Sequence, residues 1–327
     1  MIRTAVIGVG HLGAQHARIH AALSAEGLSE FTTVCDLDEE RGRKVSAESG
    51  AKPGTEWRAL IGKVDAVSVA VPTESHCEIA CGLLEAGIHV LVEKPISRTL
   101  EEADRMIAAG RKSGAVLQVG HAERFNPALV ALRPFVRNPV YFEIHRVGQF
   151  TARSLDIDVV LDLMIHDLDI VQWLVGEDVE LTSLHAVGIP ILTDRVDAAN
   201  ARLEFATGAV ANITASRVGT EKIRKMRFFQ PRDYVAVDYT TNHASISNLA
   251  PPSIGPWPGV QTRILEVKDV EPLRAEIESF LLAVSNTSRP VVSGEDGRRA
   301  LALALRTLEQ INDHTVRSGV SAFLQNA

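Results

Sequence analysis

The chain has 327 residues, long enough for two domains, and its balance of 46% hydrophobic and 23% charged residues is that of an ordinary globular protein. A formal charge of −7 argues against the basic face that a nucleic-acid partner requires. No apolar run approaches the ~20 residues needed to span a bilayer. Met1-Ile2-Arg3 leads straight into apolar sequence, so no secretory leader is expected. Cys35, Cys77 and Cys81 form no disulfide framework, and the spacing of Cys77 and Cys81 has no second pair to complete a metal site. The expectation is a cytoplasmic protein with reduced thiols.

Taken in chain order, Arg3 to Ile7 predicts a short buried strand. Gly8-Val9-Gly10-His11-Leu12-Gly13 follows, and a helix starts there. A second apolar run, Phe31 to Cys35, ends at Asp36, 23 residues beyond Gly13. This is G-x-G-x-x-G between a strand and a helix, with an acid in register. Gly8 suits a tight turn, Gly10 lets the backbone approach a pyrophosphate, and Gly13 lets helix and strand pack closely. The helix start offers N–H groups and partial positive charge to phosphate, and Asp36 can accept from both ribose hydroxyls. The cofactor expected is NAD rather than NADP. Asp36 occupies the place of a 2′-phosphate, Leu37 follows it, and Arg41 and Arg43 are expected to lie too far along the next helix to matter.

Further apolar strands at Val64–Val71, His89–Val92 and Val116–Val119 alternate with helices at about Ser75–Ala86 and Leu100–Ser113. Alternating strands and helices with near-continuous apolar strands predict a doubly wound parallel sheet over residues 1–120. From Pro139 the texture changes. Six strands, at 140–147, 181–187, 198–205, 209–216, 223–230 and 234–239, predict a mostly antiparallel sheet in an α+β domain over 121–327. A helix at about Val159–Leu174 interrupts them, Ala250–Gly259 reads as a long loop, and two C-terminal helices at about Pro272–Asn286 and Glu295–Ser318 are assigned to this second domain.

Three clusters carry chemistry. Glu93-Lys94-Pro95 follows a strand of the first sheet, and ligands bind outside the carboxyl ends of such strands. Asp162 and His166 are four apart on a predicted helix and so share a face, with His166 suited to proton transfer near neutral pH. A metal site of Asp162, His166 and Asp169 is the competing reading, and no metal is expected. Gly120-His121-Ala122-Glu123-Arg124-Phe125-Asn126-Pro127 lies at the domain junction, with His121 again at a strand's carboxyl edge. His16 and His20 are read as helix packing. The basic residues Arg217, Lys222, Arg224, Lys225, Arg227 and Arg232 are read as a solvated sheet face or a subunit contact.

With these motifs in view, the chain resembles the Gfo/Idh/MocA oxidoreductases. The resemblance rests on Gly8-x-Gly10-x-x-Gly13, Val71-Pro72-Thr73-x-x-His76, Glu93-Lys94-Pro95 and Asp162-x-x-x-His166, and it covers nearly the whole chain. It implies a Rossmann domain joined to a domain with a large open antiparallel sheet, whose exposed face often forms the subunit interface. It implies a homodimer or homotetramer, a cis Lys94–Pro95 peptide, and Lys94, Asp162 and His166 as the catalytic set. The expected cofactor contacts are Gly8, Gly10, His11, Leu12, Gly13, Asp36, Val71, Pro72, Thr73, His76, Glu93 and Lys94. The expected substrate contacts are Lys94, His121, Arg124, Asn126, Asp162 and His166. The segment Asp156-Ile157-Asp158-Val159-Val160-Leu161, with the His121–Pro127 segment and His166-Asp167-Leu168-Asp169, is similar to a subgroup that oxidises UDP-N-acetylglucosamine at C3. In that subgroup an aminotransferase consumes the 3-keto product. The expected function is therefore NAD-dependent oxidation of a UDP-sugar, with no nucleic-acid or membrane partner. Alternatives are another sugar or cyclitol dehydrogenase, or a non-catalytic NAD and sugar sensor. Trp257, in the Ala250–Gly259 loop, is a candidate for stacking the uridine base.

Overall fold

The computed structural model describes residues 1–150, 157–250 and 259–318. It divides into two compact units. The first is Met1–Phe125 with Glu271–Leu301, and the second is Asn126–Val270 with the chain from Ala302 onward. Among the described residues no helix is long and apolar enough to cross a membrane.

The first unit opens with β1 (Arg3–Ile7), α1 (His11–Ala25), β2 (Glu30–Cys35), α2 (Glu39–Ser49) and β3 (Lys52–Gly54). β4 (Ala66–Val69), α3 (His76–Glu85), β5 (His89–Glu93), α4 (Leu100–Ser113) and β6 (Leu117–Gly120) follow. All six strands pair in parallel in the order β3-β2-β1-β4-β5-β6. β4 is buried at every residue, as a sheet covered on both faces requires. Chain order reverses between β1 and β4, which places a crevice at the carboxyl ends of these two strands.

In the second unit, α5 (Pro127–Leu132) leads to β7 (Tyr141–Gln149), α6 (Ile165–Val175), β8 (Leu181–Ile189), β9 (Ala198–Phe205) and β10 (Val210–Gly219). β11 (Ile223–Gln230), β12 (Asp233–Asp238), β13 (His243–Ala250) and β14 (Gly259–Ile264) complete an eight-stranded sheet, ordered β14-β13-β12-β11-β7-β10-β9-β8. Every neighbouring pair is antiparallel except β10 with β7. Burial alternates along β7, β9, β10 and β11, so one face carries a core that includes Phe142 and Phe228 while the other is open. The chain ends in α7 (Pro272–Asn286) and α8 (Gly294–Ser318).

The parallel and antiparallel sheets match the sequence reading, with two differences. β3, only three residues long, and β13 and β14 are strands that the reading omitted. β14 is an edge strand with Val260 and Ile264 exposed, and it has no buried face to produce alternation. Residues 251–258, with Trp257, lie outside the described residues, as does Asp156. The domain boundary also differs. α7 and the start of α8 belong with the first unit rather than the second. Ile277, Phe280 and Leu281 of α7 pack in one core cluster with Ile19, Leu23 and Leu91, so apolar burial draws the helix back to the first sheet.

Candidate active site

The turn after β1 has the shape its glycines predict. Gly8 has φ +78°, and a Cβ there would sit 2.7 Å from the Val71 side chain and 2.8 Å from the Ala70 carbonyl. A Cβ on Gly13 would collide with the Gly8 carbonyl oxygen at 1.8 Å, while a Cβ on Gly10 would meet nothing within 4 Å. Gly8 and Gly13 are thus fixed by the fold, and Gly10 faces space into which a ligand can come. Gly10 caps α1 without a side chain, and no acid lies in the first turn. α2, by contrast, is capped by Asp38 and carries Glu39 and Glu40. Only the first of these helix starts keeps its partial positive charge for an incoming anion. His11 and Leu12 are exposed at this start, and Gly13 is buried.

Gly8, Gly10, Asp36, Leu37, Val71 and Pro72 line part of one cavity of about 710 Å³. Thr73 is half-buried and opens a 3₁₀ turn, Thr73–Ser75, beside it. A glycine cradle, an uncapped helix start and a buried acid fit the adenosine and pyrophosphate of a dinucleotide. Asp36 is held firmly. Its carboxylate accepts from the Val9 amide at 2.7 Å and the Asp38 amide at 2.9 Å. Arg41, expected to be too far away, also reaches it, with Nη2 at 2.6 Å and Nε at 3.0 Å. The short turn after β2 starts α2 at Glu39, so Arg41 folds back over the acid. Burial pushes the Asp36 carboxyl up, but hydrogen bonds from Arg41, Val9 and Asp38 outweigh it and hold the pKa below the ordinary range.

Two of the expected cofactor contacts are turned inward. His76 is buried, with Nε2 2.9 Å from the Val71 carbonyl and Nδ1 3.0 Å from the Pro95 carbonyl. It ties the turn after β4 to the cis Lys94–Pro95 peptide, which is present as expected. Glu93 is buried as well. Its carboxylate meets His16 Nε2 at 2.9 Å and accepts from the Lys94 amide at 3.2 Å. His76 thus meets the Pro95 carbonyl and Glu93 holds the Lys94 amide, and both side chains are buried. Lys94 itself is half-buried at the end of β5, and His121 follows β6, whose Gly120 pairs with Glu93. Lys94 and His121 therefore leave adjacent strands at the same edge. Gly120 is needed there, because a Cβ would meet the Glu93 carboxyl at 2.9 Å.

Close enough to Glu93 to feel its charge lies an acid that the sequence reading missed. Glu276 of α7 is fully buried, and neither carboxyl oxygen has a hydrogen-bond partner among the described residues. Burial first, then the charge of Glu93, raises its pKa well above the usual carboxylate range, which favours the protonated form. Burial raises the Glu93 carboxyl too, but His16 and Lys94 outweigh this and keep Glu93 ionised. His16 and His20 are packing residues rather than a metal pair. His20 meets Ser68 at 2.9 Å and stacks on Phe31, and burial lowers its pKa to about 3.

The junction segment is more structural than expected. His121 and Arg124 are both buried, and Arg124 lies 3.6 Å from Asp296 of α8. Asn126, in the second unit, accepts from the Ala128 amide and caps α5.

In the second unit, Asp162 sits in a π turn, Val160–Met164, and His166 follows in the first turn of α6. The predicted helix is thus present, but its opening turn is π rather than α, a local distortion common at functional sites. Asp162 and His166 are half-buried, while Asp167 and Asp169 are buried. Asp167 is gripped by Arg146 of β7 through two hydrogen bonds of 2.7 and 2.9 Å, which fixes α6 to the sheet beside His166. Asp158 accepts from the Val196 amide at 2.9 Å, and Arg217 donates to the Ile157 carbonyl. Arg217 is therefore a buried anchor rather than part of a solvated face, with Asp197 3.5 Å away. Asp197 in turn accepts from the amides of Ile191, Leu192 and Thr193. Among the described residues, no three His, Cys, Asp or Glu side chains converge as metal ligands.

Comparison with known proteins bears on the whole chain. Residues 2–121 match the model of an oxidoreductase family with an NAD-binding Rossmann fold, and residues 133–229 match the GFO/IDH/MocA C-terminal domain. UDP-N-acetylglucosamine 3-dehydrogenase of Acidithiobacillus ferrooxidans is 40% identical over 99% of each chain. Its crystal structure superposes with a TM-score of 0.89, covering 95% of this chain and 97% of that one at 39% identity. Myo-inositol 2-dehydrogenase of Thermotoga maritima is 28% identical over 94% of this chain and 97% of its own length.

Proposed function

From the premise that this chain belongs to the Gfo/Idh/MocA family of NAD-binding oxidoreductases, we infer that it oxidises UDP-N-acetylglucosamine at C3 to the 3-keto sugar nucleotide. The observation that carries the substrate is the end-to-end identity of 40% to a UDP-N-acetylglucosamine 3-dehydrogenase. The cyclitol alternative has weaker support, at 28%.

NAD, when bound, supplies the acceptor for the hydride that leaves the sugar carbon. The chain's own residues hold it and manage the proton. Gly8, Gly10 and Gly13 with the start of α1 take the pyrophosphate, and Asp36 takes the ribose hydroxyls. His166 is the general base for the hydroxyl proton, since imidazole is the side chain most suited to proton transfer near neutral pH. Lys94 donates a hydrogen bond to the same oxygen as negative charge grows on it, and Asp162 orients His166. His166 takes the hydroxyl proton, and with the hydride accepted by a bound cofactor the sugar carbon would become a ketone.

In this reading a homodimer or homotetramer forms through the open face of the eight-stranded sheet, which exposes Val187, Ile189 and Phe229. The protein works in the cytoplasm, and an aminotransferase consumes the ketone. Kinetics test the substrate. UDP-N-acetylglucosamine is expected to exceed free N-acetylglucosamine and myo-inositol by well over ~100-fold in kcat/KM, because remote binding energy acts at the reacting centre. A better free sugar or cyclitol would overturn the substrate and leave the family intact. His166→Ala and Lys94→Ala are each expected to lower turnover by about 10²- to 10⁴-fold. NAD affinity should be unchanged in His166→Ala. Near-normal turnover of that variant would transfer the role of base to Lys94.

A further inference from the structure

The ribose end of the cofactor cavity holds a cation as well as an acid. Asp36 is almost fully buried and receives four hydrogen bonds, two from the Val9 and Asp38 amides and two from the Arg41 fork. The amides belong to fixed backbone. Arg41 does not, because its side chain is 47% exposed and it reaches the acid from the first turn of α2. A ribose diol that takes bonds from Asp36 must displace the partner that can move, and that partner is Arg41.

The other charges at this end leave Arg41 in place for a ligand. Arg58, which also lines the cavity, is held by Glu78 at 2.7 Å and lies 3.5 Å from Glu56. Arg43 is paired with Glu39 at 2.5 Å. Asp38 lies 3.6 Å from Arg41 and draws it less closely than Asp36 does. An isolated aspartate would reject a 2′-phosphate by like-charge repulsion. Here the acid is already neutralised by a guanidinium, whose planar fork suits phosphate as well as carboxylate.

We propose that Arg41 sets the cofactor selectivity of this chain, by yielding Asp36 to the ribose of NAD(H) and turning onto the 2′-phosphate of NADP(H), so that NADP(H) is a second, weaker ligand rather than an excluded one. The inference rests on Asp36 being the ribose acceptor and adds a role for its partner.

Binding rather than turnover tests it, by fluorescence titration of NADH and NADPH into the purified protein. The wild type is expected to bind NADPH about 10- to 100-fold more weakly than NADH. Arg41→Ala should weaken NADPH by a further 10- to 100-fold, the worth of lost charge-assisted hydrogen bonds. NADH should not weaken in the same variant, since Arg41 competes with the ribose for Asp36. Arg41→Lys keeps the charge without the fork and should recover part of the NADPH affinity. Asp36→Asn should weaken NADH and tighten NADPH, and the gain in NADPH should vanish in Asp36→Asn with Arg41→Ala. Equal losses of both cofactors in Arg41→Ala, or no change in NADPH, would overturn the role of Arg41. An Asp36→Asn protein with unchanged NADH affinity would instead overturn the ribose site itself.

Discussion

Asp36 with Arg41 in the first unit, and Asp167 with Arg146 in the second, are the same chemical pair in opposite surroundings. Both are two-pronged, at 2.6 and 3.0 Å in one and 2.7 and 2.9 Å in the other. Both carboxylates are buried. The difference is the cation. Arg41 has a side chain 47% exposed, and that of Arg146 is 3% exposed. A half-solvated guanidinium can leave its acid at small cost, because water takes its place. A sealed one cannot, because its departure strands a charge in the interior. Exposure of one partner thus separates a contact that a ligand could exchange from a fixed strut beside His166.

The comparison breaks first at Arg146. Arg146→Ala removes both guanidinium hydrogen bonds from the buried Asp167, and should destabilise the protein by about 3–5 kcal/mol in denaturant unfolding. A loss below ~1 kcal/mol would show that the Arg146 pair is no fixed strut. The glycine turn sharpens the same contrast between fold and site. Gly13→Ala drives a Cβ into the Gly8 carbonyl, so a stability loss of about 1–3 kcal/mol is expected along with lost NAD binding. Gly10→Ala has open space around its new methyl and should unfold within ~1 kcal/mol of the wild type, while NAD titration shows clearly weaker binding.

Glu276 extends the comparison to an acid whose carboxyl has no hydrogen-bond partner among the described residues. Its folded pKa is raised, so the unfolded chain releases this proton at lower pH than the folded one does. Its contribution to stability is full below the ordinary glutamate value of ~4.3 and falls as pH rises toward the folded value. Glu276→Gln keeps the shape and removes the proton. Unfolding free energies of the two proteins, measured from pH 4 to 9, should diverge in favour of the variant as pH rises; parallel curves would mean that Glu276 is ionised in the fold. The smallest effect is expected at Arg41. Arg41→Ala should cost less than ~1 kcal/mol of stability, since the two amides still satisfy Asp36.

Local spacing made the first unit legible. The interval from Gly13 to Asp36 is one β-α-β stride, and Lys94 and His121 follow strands whose apolar runs are continuous. Asp162 and His166 were visible for the same reason, being one turn apart. What stayed hidden depends on contacts between distant segments. Arg146 sits on β7 and meets Asp167 only because the sheet brings them together. Glu276 reads as one polar position on an amphipathic helix, and nothing local says that the helix returns to the first sheet. Arg41 is five residues from Asp36, but only the turn between β2 and α2 aims it backward. His76 and Glu93 were found by motif and assigned to the cofactor, whereas their side chains serve the backbone around Lys94.

The return of α7 to the first sheet also sets an order of manufacture. The cofactor-binding unit comes first in the chain, and domains generally fold as they emerge during synthesis. Yet its core waits for Ile277, Phe280 and Leu281, which leave the ribosome only after all of Asn126–Val270 has been made. Until then the α1 side of the nascent sheet has apolar surface uncovered. The second sheet's strands are complete before the first unit is closed, so the unit that begins the chain is not the first to be finished.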